Sequence, residues 1–464
     1  MKKSSPLALL LSLLILHGLF FHGKVALAEG TEDGSEEWGY VEVRPKAHMF
    51  WWLYRSPQMA KSPSSPWPTV LWLQGGPGGS GTGIGNFLEI GPLDSNLKPR
   101  NSTWLQKADL LFVDNPVGTG FSYVEDESLV VKTDEEAATD LTTLLQVLSE
   151  KNESFQTSPF YLVAESYGGK YAVTLGLSIL KAIQNRKLNL TLGGVALGDS
   201  WISPEDFVFS WGPLLKDVSR LDDNGLKESN RLAQLIKQQI EEGQYENATD
   251  SWITLENAIS TSSNSVDFYN FMLDDGRGPL SVTGRELLGF LVNKYSSYLS
   301  SKDSLGGDLG SLMNGVIRNK LKIIPKIVIW GGQSNLVFSG LYNDFMKPRI
   351  NEVDELLSNG LNVTIYNGQL DVICATKGAE AWVQKLKWDG LKNFTNLDRT
   401  PLYCNSGPQD TKAFTKSYKN LNFYWILGAG HFVPAEQPCI ALQMIGEITH
   451  SPAFTSSDRK NGGT

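Results

Sequence analysis

One stretch constrains the fold more than any other: Tyr161-Leu162-Val163-Ala164-Glu165-Ser166-Tyr167-Gly168-Gly169-Lys170-Tyr171. Phe160 to Val163 is an aromatic and apolar run of the kind that forms a buried strand. Residues 171–183 carry helical apolar spacing. Between them is a tight turn of small residues with a serine at its apex. Strand, sharp turn, helix is the layout that lifts a serine oxygen above a sheet edge as a nucleophile. The pinched backbone needs small neighbours on both sides. Ala164 stands where glycine is usual in Gly-x-Ser-x-Gly, and Gly168 keeps the second place. Alone, such a pentapeptide is a weak signal. It gains meaning only if the chain also supplies a base, an acid, an oxyanion site and a compartment.

The flanking chain reads as strands alternating with helices. Residues 37–54 alternate and are rich in β-formers, which predicts an antiparallel hairpin. Thr69 to Leu73 is a short apolar run, hence a buried strand, and it ends in the glycine-rich loop Gln74 to Gly81. Leu110 to Asp114 repeats the pattern. Thr133-Asp134-Glu135-Glu136 caps a helix predicted over 133–150. Leu192 to Asp199 is the next strand. This order predicts an α/β fold with a mostly parallel central sheet and helices on both faces. From Pro204 onward the chain shows helical segments, such as 226–242, and polar loops. That predicts a largely helical cap insertion over 204–335, with Lys326 to Trp330 undecided between cap and core. The core then resumes: a helix over 343–359, a strand over 361–366 ending at Asp371, a helix over 377–386, a strand over 421–427 ending at His431, and a helix over 437–448. The core is thus split into 29–203 and 336–455, with a disordered tail over 456–464.

The N-terminus predicts a compartment. Lys2 and Lys3 precede an apolar stretch from Leu7 to Phe21, and Ala26-Leu27-Ala28 fits a small-x-small cleavage site, so residues 1–28 read as a signal peptide. No second stretch is long and apolar enough to cross a bilayer. The expected route is the secretory pathway, ending in secretion or the lysosome, with no membrane attachment after signal removal. Six Asn-x-Ser/Thr sequons, at Asn101, Asn152, Asn189, Asn247, Asn362 and Asn393, are candidate glycosylation sites on that route. Only three cysteines are present, so at most one disulfide forms and one thiol is left over; Cys404–Cys439 is one of the three pairings. A net charge of −9 with no basic run gives no reason to expect nucleic acid as a partner. The oligomeric state is left open, a homodimer included.

Elimination selects the base among five histidines. His17 and His22 leave with the signal, His48 lies in the predicted hairpin, and His450 lies near the polar tail. His431 stands in a glycine-flanked loop just past a strand, where an imidazole can reach over a serine. Asp371 also follows a strand and can accept the Nδ1–H of His431, holding its tautomer. The chain order Ser166, Asp371, His431 is the order of the α/β-hydrolase fold. Backbone N–H groups of Tyr167 and Gly76 are the expected oxyanion donors. No metal-ligand spacing is visible, and neither a metal nor another cofactor is expected.

The chain resembles the serine carboxypeptidase family of α/β-hydrolases. The resemblance rests on Trp72-Leu73-Gln74-Gly75-Gly76-Pro77-Gly78, on Asp114 to Ser122, on Glu165-Ser166-Tyr167-Gly168-Gly169, on Asn367 to Asp371 and on Gly430-His431-Phe432-Val433-Pro434. The low cysteine count, the Ala-Glu-Ser-Tyr-Gly-Gly turn and Asn-Gly-Gln-Leu-Asp look like the retinoid-inducible serine carboxypeptidase branch. The resemblance implies release of C-terminal residues from peptides or proteins. It also implies a cluster that holds the substrate's free carboxylate, here Trp72, Gln74, Gly75, Glu89 and Glu165. Two glutamates facing a carboxylate must share protons, which predicts an acidic optimum. Gln74 replaces the family's usual asparagine, Gly79 a cysteine, and Phe432 a common methionine. Two other readings stay open: an acyltransferase or esterase on the same scaffold, and a non-catalytic secreted or lysosomal binding protein with a vestigial triad.

Overall fold

The computed structural model describes residues 25–58, 67–275, 308–404 and 410–452. The apolar stretch of the expected signal peptide and the expected disordered tail lie outside these residues. Among the described residues twelve strands form one sheet. In chain order they are β1 (Val25–Gly30), β2 (Glu36–Arg44), β3 (Ala47–Tyr54), β4 (Thr69–Leu73), β5 (Asp109–Val113), β6 (Tyr123–Val124), β7 (Pro159–Glu165), β8 (Thr191–Gly198), β9 (Asn362–Gly368), β10 (Thr400–Tyr403), β11 (Thr411–Tyr418) and β12 (Leu421–Ile426). The spatial order is β1-β2-β3-β5-β4-β7-β8-β9-β12-β11-β10, with β6 on β3. The central strands β5-β4-β7-β8-β9-β12 are all parallel. The β1–β3 and β10–β11 flanks run antiparallel.

Strand alternation sorts the core into two layers. On β4, Leu71 and Leu73 join one apolar cluster while Val70 and Trp72 join the other; on β7, Leu162 and Ala164 divide from Tyr161 and Val163 in the same way. The first layer is covered by helix α1 (Asp134–Lys151), through Leu141, Leu144 and Leu145, and by helix α2 (Gly168–Gln184), through Val173, Leu175 and Ile179. Thr133 caps α1 by accepting the N–H of Glu136, as the sequence predicts.

Among the described residues of the expected cap there are helices and loops but no strand. The helices include α3 (Pro204–Asp217), α4 (Asp223–Glu241) and α5 (Tyr245–Ser263). Lys326 to Trp330 is loop: Val328 and Trp330 point inward, and Ile327 and Ile329 are exposed. Two expectations need correction. The helix expected over 343–359 is only Ile350–Ser358, because Pro348 disfavours helix at Lys347 and the chain before Ile350 runs as loop. The strands β10 and β11 were missed; β11 reads Thr-Lys-Ala-Phe-Thr-Lys-Ser-Tyr, which alternates only weakly between core and solvent. β1 begins before the expected cleavage point at Ala28, so only Glu29 and Gly30 of that edge strand would outlast signal removal.

Cys404 and Cys439 form a disulfide, tying the strand β10 end to the last helix (Pro438–Ile448), and Cys374 is a buried free thiol. Of the sequon asparagines, Asn101, Asn189, Asn247, Asn362 and Asn393 are exposed, whereas Asn152 is half-buried and accepts the Ser154 N–H. Among the described residues no helix is long and apolar enough to cross a membrane.

Candidate active site

Because the central strands are parallel, their C-terminal ends share one edge of the sheet. Ser166 follows β7, Asp371 follows β9 and His431 follows β12, so chain segments far apart in sequence converge there. Ser166 adopts φ +60°, a left-handed conformation that a serine holds only when its surroundings enforce it. The Ser166 N–H donates to the Gly198 carbonyl and its own carbonyl accepts from the Trp201 N–H, each at 3.0 Å, and neighbouring glycines make room for the pinched turn. A β-carbon on Gly75 would sit 2.5 Å from the Ser166 Cβ, one on Gly168 would overlap the Leu73 carbonyl oxygen, and one on Gly169 would overlap Ser200. The position before the serine strand end tolerates Ala164, which points into the first core layer.

His431 Nδ1 lies 2.8 Å from Asp371 Oδ2, and both side chains are fully buried. The His431 ring packs on Tyr269, with centroids 5.2 Å apart, and Tyr269 lines the same cleft as Ser166. Ser166 Oγ makes no hydrogen bond among the described residues, and such nucleophile–base contacts commonly tighten only when substrate binds. The loop after β4 brings Gly76 beside the turn, with φ +118°. Gly76, Ser166 and Tyr167 line one cleft wall. Among the described residues, neither the Gly76 nor the Tyr167 N–H has a protein acceptor.

The five residues expected to read a carboxylate also come together. Trp72 Nε1 donates to Gln74 Oε1 at 2.6 Å. The Gln74 amide nitrogen donates to Glu89 Oε1 and Glu165 Oε1, each at 3.0 Å. The Glu89 and Glu165 carboxyls are thereby close neighbours, within reach of a shared proton. Glu89 arrives from a π-helical segment, Gly81–Ile90, whose glycines approach Trp72 and Trp330 closely. Burial pushes the Glu89 carboxyl above the ordinary glutamate range, against the pull of its neighbours Glu165 and Gln74. Gly75 connects this cluster to the serine.

Beneath Tyr167 is a charge cluster that the sequence reading missed. The Tyr167 hydroxyl donates to Asp134 Oδ1 at 2.9 Å. Arg349 donates to Asp134 Oδ2 and Asp344 Oδ2, each at 3.0 Å. Lys170 lies 3.5 Å from Asp134 and donates to the Asp344 carbonyl. Asp134 looks like an ordinary helix-capping acid in sequence, and Asp344 and Arg349 lie 210 and 215 residues from it, so no local pattern could reveal the cluster. A second missed residue is Asp199, at the end of β8, which carries the same strand-end signal that marks Asp371. Asp371, Cys374 and His431 have ligating atoms within 4.8 Å of one another. The His431–Asp371 hydrogen bond already occupies two of them, and burial pushes the Cys374 thiol far up, keeping it protonated and a poor ligand.

Comparison with known proteins places this geometry. The family model "Serine carboxypeptidase" matches residues 28–451. Serine carboxypeptidase-like 51 of Arabidopsis thaliana is 64% identical over 432 residues, covering 91% of this chain and 94% of that protein. Human retinoid-inducible serine carboxypeptidase is 50% identical over 424 residues, covering 90% and 92%. The crystal structure of Kex1(delta)p, a prohormone-processing carboxypeptidase from Saccharomyces cerevisiae, superposes with a TM-score of 0.75 at 22% identity, covering 92% of this chain and 95% of that one, and so shares the α/β-hydrolase fold. On this evidence the chain belongs to the serine carboxypeptidase family.

Proposed function

We propose that the protein releases C-terminal residues from peptides through a Ser166–His431–Asp371 triad and an acyl-enzyme. The observation that carries this reading is the buried Trp72–Gln74–Glu89–Glu165 cluster ending beside the nucleophile. Ser166 Oγ attacks the last peptide carbonyl while His431 takes its proton. Asp371 holds Nδ1–H and stabilises the imidazolium. The Gly76 and Tyr167 N–H groups bind the oxyanion. His431 then protonates the leaving amine, and water resolves the ester. The substrate's free carboxylate sits against Glu89 and Glu165, which makes the enzyme an exopeptidase. The leader-like N-terminus and the exposed sequons support a secretory route to secretion or the lysosome.

Paired peptides with free and amidated C-termini test the reading. The free acid is expected to react at least about a hundredfold faster, since an unmatched buried polar site rejects the analogue by orders of magnitude. Equal cleavage of amides and esters would favour the esterase or acyltransferase alternative. The pH dependence follows from Glu89. Below its raised pKa the Glu89–Glu165 pair holds a proton that it can donate to the substrate carboxylate. Above it both glutamates are charged and repel that carboxylate. KM for free-acid peptides therefore rises as pH climbs through the raised Glu89 value, and Glu89→Gln, which keeps a donor, flattens the profile. A wild-type KM independent of pH from acid to neutral would rule this clamp out.

The cleft also bears on side-chain choice. Its apolar walls are Trp201, Trp252, Phe268, Tyr269, Phe338 and Phe345. It borders Ser166, Gly76 and Tyr167 but none of the carboxylate-reading side chains. It therefore suits the residue on the acyl side of the scissile bond. Peptides with an aromatic or long aliphatic residue next to the last position are expected to exceed their glycine counterparts in kcat/KM by about 10- to 200-fold. A peptide-library digestion reads this directly.

A further inference from the structure

Four consecutive parallel strands present one functional-type side chain each at the same sheet edge: Ser166 on β7, Asp199 on β8, Asp371 on β9 and His431 on β12. Three of these make up the triad. We propose that the fourth, Asp199, is a positioning residue that stays a neutral acid and donates its proton to Oδ1 of Asp371, fixing the triad carboxylate toward His431. This rests on the triad reading above.

The hydrogen-bond inventory carries the inference. Asp199 and Asp371 are both fully buried. Asp199 is held by its backbone, with φ +39° and its N–H donated to the Tyr366 carbonyl at 2.9 Å. Its Oδ1 accepts from the Gly368 N–H at 2.7 Å and from Asn367 Nδ2 at 3.0 Å. Among the described residues its Oδ2 has no N–H or hydroxyl donor, and neither does Asp371 Oδ1. The two carboxyl groups are close neighbours, within reach of a shared proton. Two carboxylates in dry contact would repel, whereas one shared proton satisfies both orphaned oxygens at once. With Oδ1 so occupied, Asp371 Oδ2 is left for His431 Nδ1.

The surroundings favour that proton. Burial, then the Asp371 charge, pushes the Asp199 carboxyl well above its usual range, and Glu436 adds to the push. The other titratable groups facing it are Cys374 from the loop after β9, Tyr366 from β9 and His431, through Asp371, from the loop after β12. None of them brings a permanent positive charge. Stripping the shared proton at alkaline pH would leave two adjacent charges and drive Asp371 off His431.

The labelling rate of Ser166 by a fluorophosphonate probe tests this. It reports the activated serine and does not involve the carboxylate clamp. In the wild type the rate is expected to fall on the alkaline side. Asp199→Asn places an amide N–H where the acid proton lies, so it should label well at acid pH and lose the alkaline decline. Asp199→Ala removes the donor, and a triad misplaced by about 1 Å should label about a hundredfold more slowly at every pH. An Ala variant that labels at the wild-type rate overturns the proposal, as does an Asn variant with the wild-type alkaline decline. If the Ala variant does not fold, the near-isosteric Asn variant decides alone. Labelling that survives Ser166→Ala would instead overturn the triad reading itself, which separates the two failures.

Discussion

Ser166→Ala is expected to reduce kcat by about a million-fold on a free-acid peptide and to abolish fluorophosphonate labelling, with the protein still folded. The serine side chain makes no hydrogen bond among the described residues, so its removal breaks no structural contact. The left-handed backbone at that position is held by backbone hydrogen bonds to Gly198 and Trp201, not by the hydroxyl, so alanine should keep the same conformation. His431→Ala should cost about as much, and the double variant scarcely more, because the two groups act as a unit. Asp371→Asn is expected to cost about ten-thousand-fold in kcat with a small change in KM, since an amide stabilises the wrong imidazole tautomer. A folded Ser166→Ala variant with wild-type turnover would end the enzymatic reading of this turn. A folded wild type that the probe never labels would favour a binding protein with a vestigial triad.

The same turn sets two properties. Ser166 faces the cleft with the N–H groups proposed to bind the oxyanion, while Glu165, one residue earlier, joins the Gln74–Glu89 cluster proposed to read the carboxylate. Alternation along a strand puts neighbours on opposite sides. A nucleophile at a strand end therefore brings its predecessor within reach of the opposite flank of the substrate. In the proposed mechanism, a glutamate placed there couples bond cleavage to recognition of a chain end through a single rigid segment.

The central strands were legible because short apolar runs bounded by glycine leave little freedom: Thr69–Leu73 is read to the residue, and β5, β7 and β12 to within one or two. The triad candidates were legible because each follows such a strand. What escaped detection depended on distance in sequence. β11 pairs with β12 at the sheet edge, where partial exposure blurs the alternation that marks a strand. The helix before β9 was overextended because apolar periodicity continues through Lys347-Pro348, where the proline breaks the backbone pattern but not the side-chain one. Asp134, Lys170, Asp344 and Arg349 are unremarkable singly. Their meaning arises only when the loop before Ile350 folds against α1 and α2.

That cluster sets the second large expected effect. Arg349→Ala should destabilise the protein by about 3–5 kcal/mol, because it strips one of two cationic partners, the one that hydrogen-bonds both side chains, from two buried carboxylates. Arg349 is 1% exposed, with Asp134 at 0% and Asp344 at 5%. Lys170 remains, but at 3.5 Å and 4.0 Å it makes the weaker contacts to both. A lower urea midpoint with an unchanged slope is the expected signature. Adding Asp134→Asn to Arg349→Ala should recover part of the loss, since one uncompensated charge disappears, and the size of that recovery measures the coupling. A loss of under about 1 kcal/mol, the value of an exposed pair, would show that the cluster is not a structural anchor. The effect also reaches the chemistry. Asp134 holds the Tyr167 hydroxyl, and the Tyr167 N–H is a proposed oxyanion donor, so any Arg349→Ala protein that remains folded should turn over more slowly without a matching rise in KM.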